Sequence, residues 1–197
     1  MRFTRLALTS VAILAAAGTV SCSDPVPPTP QGAWAISFQP PDTNPSECQI
    51  AGHNSAIGSV GPNKRDKVLV DGAEGASIEC SVIGTGKFNV TGKGTQSDKG
   101  LELRIDNLAA TATEDAPLPG SVSYASINTA GNPYASTQQD MPCQFWFSKG
   151  TPEGIAAGRV WVAFKCPVMI DASTGSSCQI KSGFAIFENC TQSAGEE

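Results

Sequence analysis

The sequence has few charged residues and a single histidine. Charged side chains make up 16% of the 197 residues, whereas hydrophobic side chains make up 40%. So little charge is atypical of a long-helix protein, and so much hydrophobicity is atypical of a disordered one. Together with 20 glycines and 14 prolines, this composition favours one folded domain of many short strands.

The shortage of catalytic side chains argues against several common enzyme designs. His53 is the only histidine, no G-x-S-x-G motif occurs, and no two cysteines form a C-x-x-C pair. A Ser-His-Asp triad, a structural zinc site and a thioredoxin-like redox pair therefore have no support. We expect a solvated or capping role for His53, and we expect no catalytic residue, metal or cofactor.

The overall charge is acidic. Arg2 and Arg5 lie at the start of the N-terminal leader, so 11 of the 13 basic residues remain beyond it, against 18 acidic residues. An acidic surface repels the phosphate backbone of nucleic acids and anionic lipid headgroups. We therefore expect no nucleic-acid partner, and we expect any membrane contact to come from an anchor.

The first 21 residues have the pattern of a secretory signal. The two arginines precede an uncharged, mostly apolar run at residues 6–18 (LALTSVAILAAAG). This run is shorter than the about 20 residues that a permanent transmembrane helix needs. A basic start, a short apolar run and small residues after it predict a signal peptide over residues 1–21.

The segment Thr19-Val20-Ser21-Cys22 resembles the lipobox of bacterial lipoproteins, in which a small residue precedes the cysteine that receives the lipid. Thr19 departs from the family pattern, which prefers leucine at that position. The resemblance implies lipidation of Cys22, and several acyl chains on one residue anchor far more firmly than a single chain. Ser23 stands where an aspartate favours inner-membrane retention, which implies an outer-membrane address. The alternative is an ordinary signal peptide cut nearby, which leaves Cys22 as a structural thiol.

Prolines separate the predicted anchor from the folded part of the chain. Residues 22–31 comprise the lipidated cysteine and a tether with Pro25, Pro27, Pro28 and Pro30, a density that favours an extended, polyproline-like spacer. We expect a folded domain over residues 32–190. The polar residues 191–197 (TQSAGEE) are expected to form a flexible tail.

Hydrophobic residues occupy every second position in much of the chain, which is typical of half-buried strands. The clearest segments are residues 34–38, 78–82, 88–90, 101–105, 143–147, 160–166 and 178–190, and weaker ones are 48–60, 67–70 and 121–127. No helix of ten or more residues is predicted after the leader. The pattern predicts an all-β protein, either an antiparallel β-sandwich or a small β-barrel, with disulfides.

Six cysteines follow Cys22, and each is in phase with the hydrophobic positions around it: Cys48, Cys80, Cys143, Cys166, Cys178 and Cys190. Their side chains should point inward, and an oxidising compartment outside the cytoplasm favours disulfides between them. Six cysteines allow fifteen pairings, so the sequence alone does not choose. A hairpin between residues 160–166 and 178–190 favours Cys166–Cys178, then Cys143–Cys190, which leaves Cys48–Cys80.

Three aromatic residues have the phase opposite to the cysteines, namely Trp146, Trp161 and Phe187. If Phe145 pairs with Val162, and Val162 with Ile186, the three rings form a stripe across adjacent strands. An exposed stripe is a candidate ligand surface for sugars or peptides, since aromatic rings offer large contact areas at low entropic cost. The alternative is that another sheet or loop covers these rings and makes them a second core layer.

Two further short segments resemble known protein families. Gly32-Ala33-Trp34 resembles the Gly-x-Trp that opens the first strand of lipocalins, over these three residues alone. Residues 158–167 (GRVWVAFKCP) and 187–190 (FENC) are similar to stretches of uncharacterised small Gram-negative lipoproteins. This second similarity supplies no activity.

Together these features predict a non-enzymatic lipoprotein of the bacterial envelope, a binding or structural module displayed from the membrane. Its expected partners are the membrane, through the lipid, and a carbohydrate, peptide or envelope protein. One alternative is a lipocalin-like carrier of a small hydrophobic ligand, which requires an apolar cavity in a closed barrel. Another is a secreted hydrolase, which requires inward-pointing acidic residues clustered in a cleft.

Overall fold

The alternating segments of the sequence form antiparallel strands joined by short turns. In the computed structural model, which describes residues 27–136, 139 and 141–192, the strands are β1 (Gln31–Gln39), β2 (His53–Ile57), β3 (Ser59–Gly61), β4 (Lys64–Lys67), β5 (Leu69–Val70), β6 (Ala76–Thr85), β7 (Lys87–Gln96), β8 (Lys99–Ala109), β9 (Leu118–Ala125), β10 (Tyr134–Ala135), β11 (Cys143–Trp146), β12 (Gly154–Ala156), β13 (Arg159–Asp171) and β14 (Ser177–Glu188). Single 3₁₀ turns lie at Pro45–Glu47, Ala73–Gly75 and Ile127–Thr129. Within these described ranges, no helix has the length and hydrophobicity needed to span a bilayer.

Twelve of the strands form one antiparallel sheet. Its strand order is β2-β1-β14-β13-β10-β9-β8-β7-β6, with β5 paired to β1, β12 to β13, and β11 to both β13 and β9. The sheet folds over so that β1 and β2 come into contact with β7. The result is the all-β, sandwich-like fold with disulfides that the sequence predicts.

Inward side chains from the two halves of the sheet meet in one hydrophobic core. Trp34 and Phe38 on β1 and Phe187 on β14 are fully buried there. The indole Nε1 of Trp34 donates a hydrogen bond to the carbonyl oxygen of Gly94 on β7 at 2.8 Å. Gly92, the neighbouring inward position of β7, lies so close to Phe187 that a Cβ there would be 2.5 Å from its ring. The glycines of β7 therefore make room for large rings from the opposite half.

The hairpin of β3 and β4 covers part of the outer face of the sheet and creates a second, smaller core. Val60 on β3 packs with Ala33 of β1, Trp161 of β13 and Ile186 of β14. All four side chains are less than 9% exposed. The hairpin therefore buries Trp161, whose side chain points away from the main core.

An ion-pair cluster at the end of β14 links the hairpin to the sheet. The side chain of Glu188 is only 14% exposed and forms ion pairs with Arg65 and Arg159. The Nε atom of Arg159 lies 3.3 Å from one carboxylate oxygen, and Arg65 bonds the other. Because Arg65 lies on β4 of the hairpin, the carboxylate bridges the two layers.

The cysteines pair differently from the expected pattern. The structure forms the disulfides Cys48–Cys178, Cys80–Cys190 and Cys143–Cys166, so the predicted pairs Cys166–Cys178, Cys143–Cys190 and Cys48–Cys80 are wrong. In the β13–β14 hairpin, Cys166 lies opposite Ile180 and Cys178 opposite Met169, with register shifts on both sides of Cys166. The two cysteines therefore do not face each other across the hairpin.

The ends of the folded part are held to neighbouring strands. The carbonyl oxygen of Pro30 accepts a hydrogen bond from the N–H of Asp71 at 2.9 Å. At the other end, the N–H of Thr191 donates to the carbonyl of Cys80 at 3.1 Å, and the N–H of Val82 donates to Thr191 at 3.0 Å. The predicted signal peptide, Cys22, the start of the tether and residues 193–197 of the tail lie outside the described residues.

Candidate functional site

The structure places the three aromatic residues of the expected stripe in three different environments. Phe187 is fully buried in the main core, and Trp161 is 2% exposed beneath the β3–β4 hairpin. Trp146 is the one of the three that is partly exposed. The expected common stripe is therefore wrong, whereas the alternative, burial in a second core layer, describes Trp161.

The stripe fails because the strand registers differ from the assumed ones. Phe145 pairs with Phe164, and Val162 pairs with Ala185 instead of Ile186. A slip of one residue moves every side chain of a strand to the other face. For this reason Phe187 lies on the inner face, opposite to the face of Trp161.

Trp146 lines a small cleft at the end of β11. The cleft has a volume of about 200 Å³ and lies between the turn that follows β8 and the segment that follows β11. The ammonium group of Lys165 on β13 lies 5.8 Å from the centroid of the Trp146 ring. The polar side chains that line the cleft beside Trp146 are Thr113, Glu114, Asp115, Ser148 and Lys149.

The first wall of the cleft is a tight turn that presents two carboxylates. Thr113 and Ala116 form an isolated β-bridge, with reciprocal N–H to carbonyl hydrogen bonds of 3.3 and 3.0 Å. Glu114 and Asp115 occupy the two positions between them and are exposed. The two backbone hydrogen bonds fix the backbone of the turn from which these side chains project.

The second wall follows Trp146 and is fixed by hydrogen bonds of its own. The N–H of Ser148 donates to a carboxylate oxygen of Glu153 at 2.7 Å, and the hydroxyl of Thr151 donates to the Ser148 carbonyl at 2.7 Å. Phe147, which precedes Ser148, is 7% exposed, and its N–H donates to the carbonyl of Ala112 at 3.1 Å. This last bond joins the two walls, so the cleft is largely preformed.

Three charged side chains line the cleft, namely Glu114, Asp115 and Lys149. Within the described part of the chain, these three form no ion pair or hydrogen bond. Lys165 lies outside this lining, with its ammonium group over the Trp146 ring. The cleft thus offers acceptors and a cationic donor beside an aromatic ring.

His53 has a structural position. Its Nδ1 lies 3.0 Å from the carbonyl oxygen of Ala51, and its Nε2 lies 2.9 Å from the hydroxyl of Tyr124. Because a carbonyl only accepts, Nδ1 donates to Ala51, and in the neutral ring Nε2 then accepts the Tyr124 O–H. The ring also packs against Phe38. The Nε2 bond therefore joins β2 to β9, whereas the Nδ1 bond is local to the start of β2.

Large side chains fill the space between the two halves of the sheet. Trp34 and Tyr124 meet edge to face with ring centroids 6.1 Å apart, and Phe38 lies 5.2 Å from Tyr124 and from Tyr134. These residues are at most 2% exposed. Around these rings there is therefore no interior cavity of the kind that a carrier of a small hydrophobic ligand requires.

A larger groove lies on the outer face, between the tip of the β3–β4 hairpin and strands β1, β2 and β14. Its volume is about 350 Å³, and its lining includes Ala35, Ala56, Val60, Pro62 and Phe184. No charged residue lines it. The Trp146 cleft differs from this groove because charged side chains line it beside its aromatic ring.

Comparisons with known proteins add no relative. No protein-family model matches the chain, and neither the curated proteins nor the solved structures yield a match. Among residues 27–136, 139 and 141–192, no group of three or more His, Cys, Asp and Glu side chains is placed to hold a metal ion.

The sequence predicts a ligand-binding role for only one residue of this cleft, Trp146. Trp146 belonged to the expected stripe, but Glu114, Asp115 and Lys149 read as ordinary turn residues. The turns themselves are visible in the sequence as EDAPLPG and SKGTPEG. Their contact depends on the pairing of β11 with β9, which no local pattern reveals.

Proposed function

We propose that the protein is a non-enzymatic binding or structural module of the bacterial envelope, anchored to the outer membrane by lipid on Cys22. The proposal combines the lipobox-like segment at residues 19–22 with the cysteine pairing of the folded domain. A secretory signal, an oxidising compartment and a lipid anchor belong to the same export route.

The observation that carries the proposal is the use of the cysteines. The chain has seven cysteines, and the six that follow Cys22 are all joined to one another in three disulfides. None of them is left to pair with Cys22. An odd cysteine in an exported protein indicates a role of its own, such as an intermolecular disulfide or a reactive thiol, and the lipobox-like segment around Cys22 favours lipidation as that role.

The folded domain begins close to the proposed anchor. The carbonyl of Thr29 accepts a hydrogen bond from the side chain of Asn189 at 3.0 Å, so the chain is already bound to the domain at this residue. The seven residue-to-residue steps from Cys22 to Thr29 span at most roughly 25 Å when fully extended. A lipid on Cys22 would hold the domain within that distance of the membrane surface.

The environment of His53 supports a role without catalysis. A general base needs a free nitrogen within hydrogen-bond reach of the group it deprotonates. In His53 one nitrogen bonds Ala51 and the other bonds Tyr124, which is fully buried. The single histidine of the chain thus serves the packing of β2 against β9.

Intact mass measurement on protein taken from its native membrane fraction tests the proposal. We expect a mass that lacks residues 1–21, carries a diacylglyceryl group and a further acyl chain, and gains six hydrogens on reduction, two for each of the three disulfides. Cys22→Ser is the matched variant, and it should move to the soluble fraction with its disulfides unchanged. An unlipidated wild-type chain with a free thiol at Cys22 would contradict the proposal.

A further inference from the structure

We infer that the Trp146 cleft binds one ring of a neutral oligosaccharide. The inference rests on the proposed role as a binding module and is independent of the lipid anchor. It follows from three properties of the cleft: a partly exposed aromatic ring, unpaired charges of both signs, and a small volume.

The aromatic ring provides the main contact surface. Trp34 and Trp161 are at most 2% exposed, whereas Trp146 is partly exposed and lies in a concave site. Tryptophan offers a rigid apolar face and a polar N–H at low entropic cost. A sugar ring presents C–H groups on its flat faces and hydroxyls around its edge, which matches a ring surrounded by polar groups.

The charges select a neutral ligand. Glu114 and Asp115 offer acceptors and Lys149 offers a donor in the cleft, while the Lys165 ammonium lies over the Trp146 ring from outside the lining. A cationic ligand would therefore meet the Lys149 ammonium group, and an anionic ligand would meet two carboxylates. Hydroxyl groups both donate and accept, so a neutral polyol can bond to both signs at once.

The size of the cleft limits what enters it. Its volume of about 200 Å³ is below the range of about 300–1,000 Å³ for pockets that enclose drug-sized ligands. One sugar ring is therefore held while the rest of an oligosaccharide stays outside. The hydrogen bond from Phe147 to Ala112 joins the two walls, which reduces the entropy lost on binding.

Binding of the full-length protein to an array of neutral oligosaccharides tests the inference, with sulfated glycans and choline as charged probes. We expect binding to at least one neutral oligosaccharide and none to the charged probes. Trp146→Ala should weaken the affinity at least about tenfold, as loss of a central aromatic contact does. Trp146→Phe keeps an aromatic face and should retain most of the affinity.

Two further variants separate recognition from folding. Gln144→Ala changes the residue two positions earlier on β11, outside the cleft lining, and should leave the affinity within about twofold. Glu114→Ala with Asp115→Ala alters an exposed turn and should weaken binding several-fold while the disulfides remain intact.

The outcomes are distinct from those of the anchor experiment. Absence of neutral-glycan binding in wild type, selective binding of a charged probe, or equal affinity in wild type and Trp146→Ala would each overturn the inference. Any of these results leaves the lipid on Cys22 unaffected, and an unlipidated protein that binds neutral glycans through Trp146 would overturn only the anchor.

Discussion

The ring of Phe187 on β14 lies directly against Gly92 on β7, where the two halves of the sheet face each other. A Cβ at position 92 would be 2.5 Å from one ring carbon and 2.7 Å from the next. Phe187 is fully buried, so its ring has no free direction in which to move. Gly92 therefore sets the separation of the two halves at this point.

Gly92→Ala should destabilise the protein by about 1–3 kcal/mol, because an added methyl group in a filled core forces strained side chains and backbone shifts. Urea denaturation with the disulfides intact measures the change in the free energy of unfolding. Gly154→Ala is the matched control, since no atom lies within 4 Å of its added Cβ. The control should stay within about 0.5 kcal/mol of wild type, and equal stability of the Gly92→Ala protein would refute the packing argument.

The surroundings of Gly92 could be predicted from the sequence only in part. The alternation of Phe88 and Val90 predicts a strand, and the structure extends that strand to Gln96. Gly92 and Gly94 continue the inward positions of this strand, but the residues around them in the sequence do not show that Phe187 and Trp34 fill the space above them. Alternation and turn residues are patterns within one segment, so they predict strands. Which residue of the other half faces a given position depends on the tertiary fold, so these patterns do not predict it.

The sequence predicts the direction of the cysteine side chains better than it predicts their pairing, for the same reason. The predicted inward direction agrees with the burial of Cys143, Cys166, Cys178 and Cys190, whereas Cys48 and Cys80 are half-buried at the margin of the same core. The pairing depends on register and on which strands become neighbours. Cys143 lies beside Cys166 because Gln144 pairs with Lys165 between β11 and β13. The register shifts around Cys166 have no counterpart in the hydrophobic pattern, so the hairpin-based expectation failed.

Replacement of one cysteine distinguishes the observed pairing from the expected one. Cys48→Ala should leave a free thiol at Cys178, the partner of Cys48 in the structure. The pairing expected from the sequence would instead free Cys80. Alkylation of the denatured protein followed by peptide mass mapping identifies the thiol. Loss of the bond should lower the free energy of unfolding by about 2–4 kcal/mol, and a labelled Cys80 would contradict the structure.

Glu188 should contribute more to stability than an exposed ion pair. Its side chain is 14% exposed and lies between Arg65 and Arg159. Glu188→Gln removes a charge shared by two partners and should cost about 1–2 kcal/mol, since hydrogen bonds to charged groups are stronger than neutral ones.

The control for Glu188 is Glu74→Gln. Glu74 pairs with Lys67, and both side chains are more than half exposed, at 55% and 52%, so the change should be within about 0.5 kcal/mol. Hydrogen exchange adds a local measurement, because loosening of the bridge should increase exchange in β3 and β4. Equal effects of the two substitutions, or no change in hairpin exchange, would show that Glu188 does not fasten the hairpin.

Asp171 should make the stability depend on pH in the acidic range. It closes the β13–β14 turn, and its carboxylate accepts hydrogen bonds from the N–H and hydroxyl of Ser173 at 2.9 and 2.7 Å and from the hydroxyl of Thr174 at 2.9 Å. These bonds, led by the Ser173 hydroxyl, favour the ionised form and hold the pKa of Asp171 below its ordinary value.

A carboxyl group whose pKa is lower in the folded state stabilises the fold above its unfolded pKa, and this stabilisation is lost as the pH falls through the folded pKa. The difference in unfolding free energy between wild type and Asp171→Asn should therefore be largest near pH 7 and should shrink below about pH 4. Urea denaturation at a series of pH values measures it. Asp98→Asn is the control for loss of one aspartate charge, because Asp98 is exposed in the β7–β8 turn, and its free energy of unfolding near pH 7 should stay within about 0.5 kcal/mol of wild type. A difference between wild type and Asp171→Asn that stays constant down to pH 2 would mean that the turn does not depend on the ionised carboxylate.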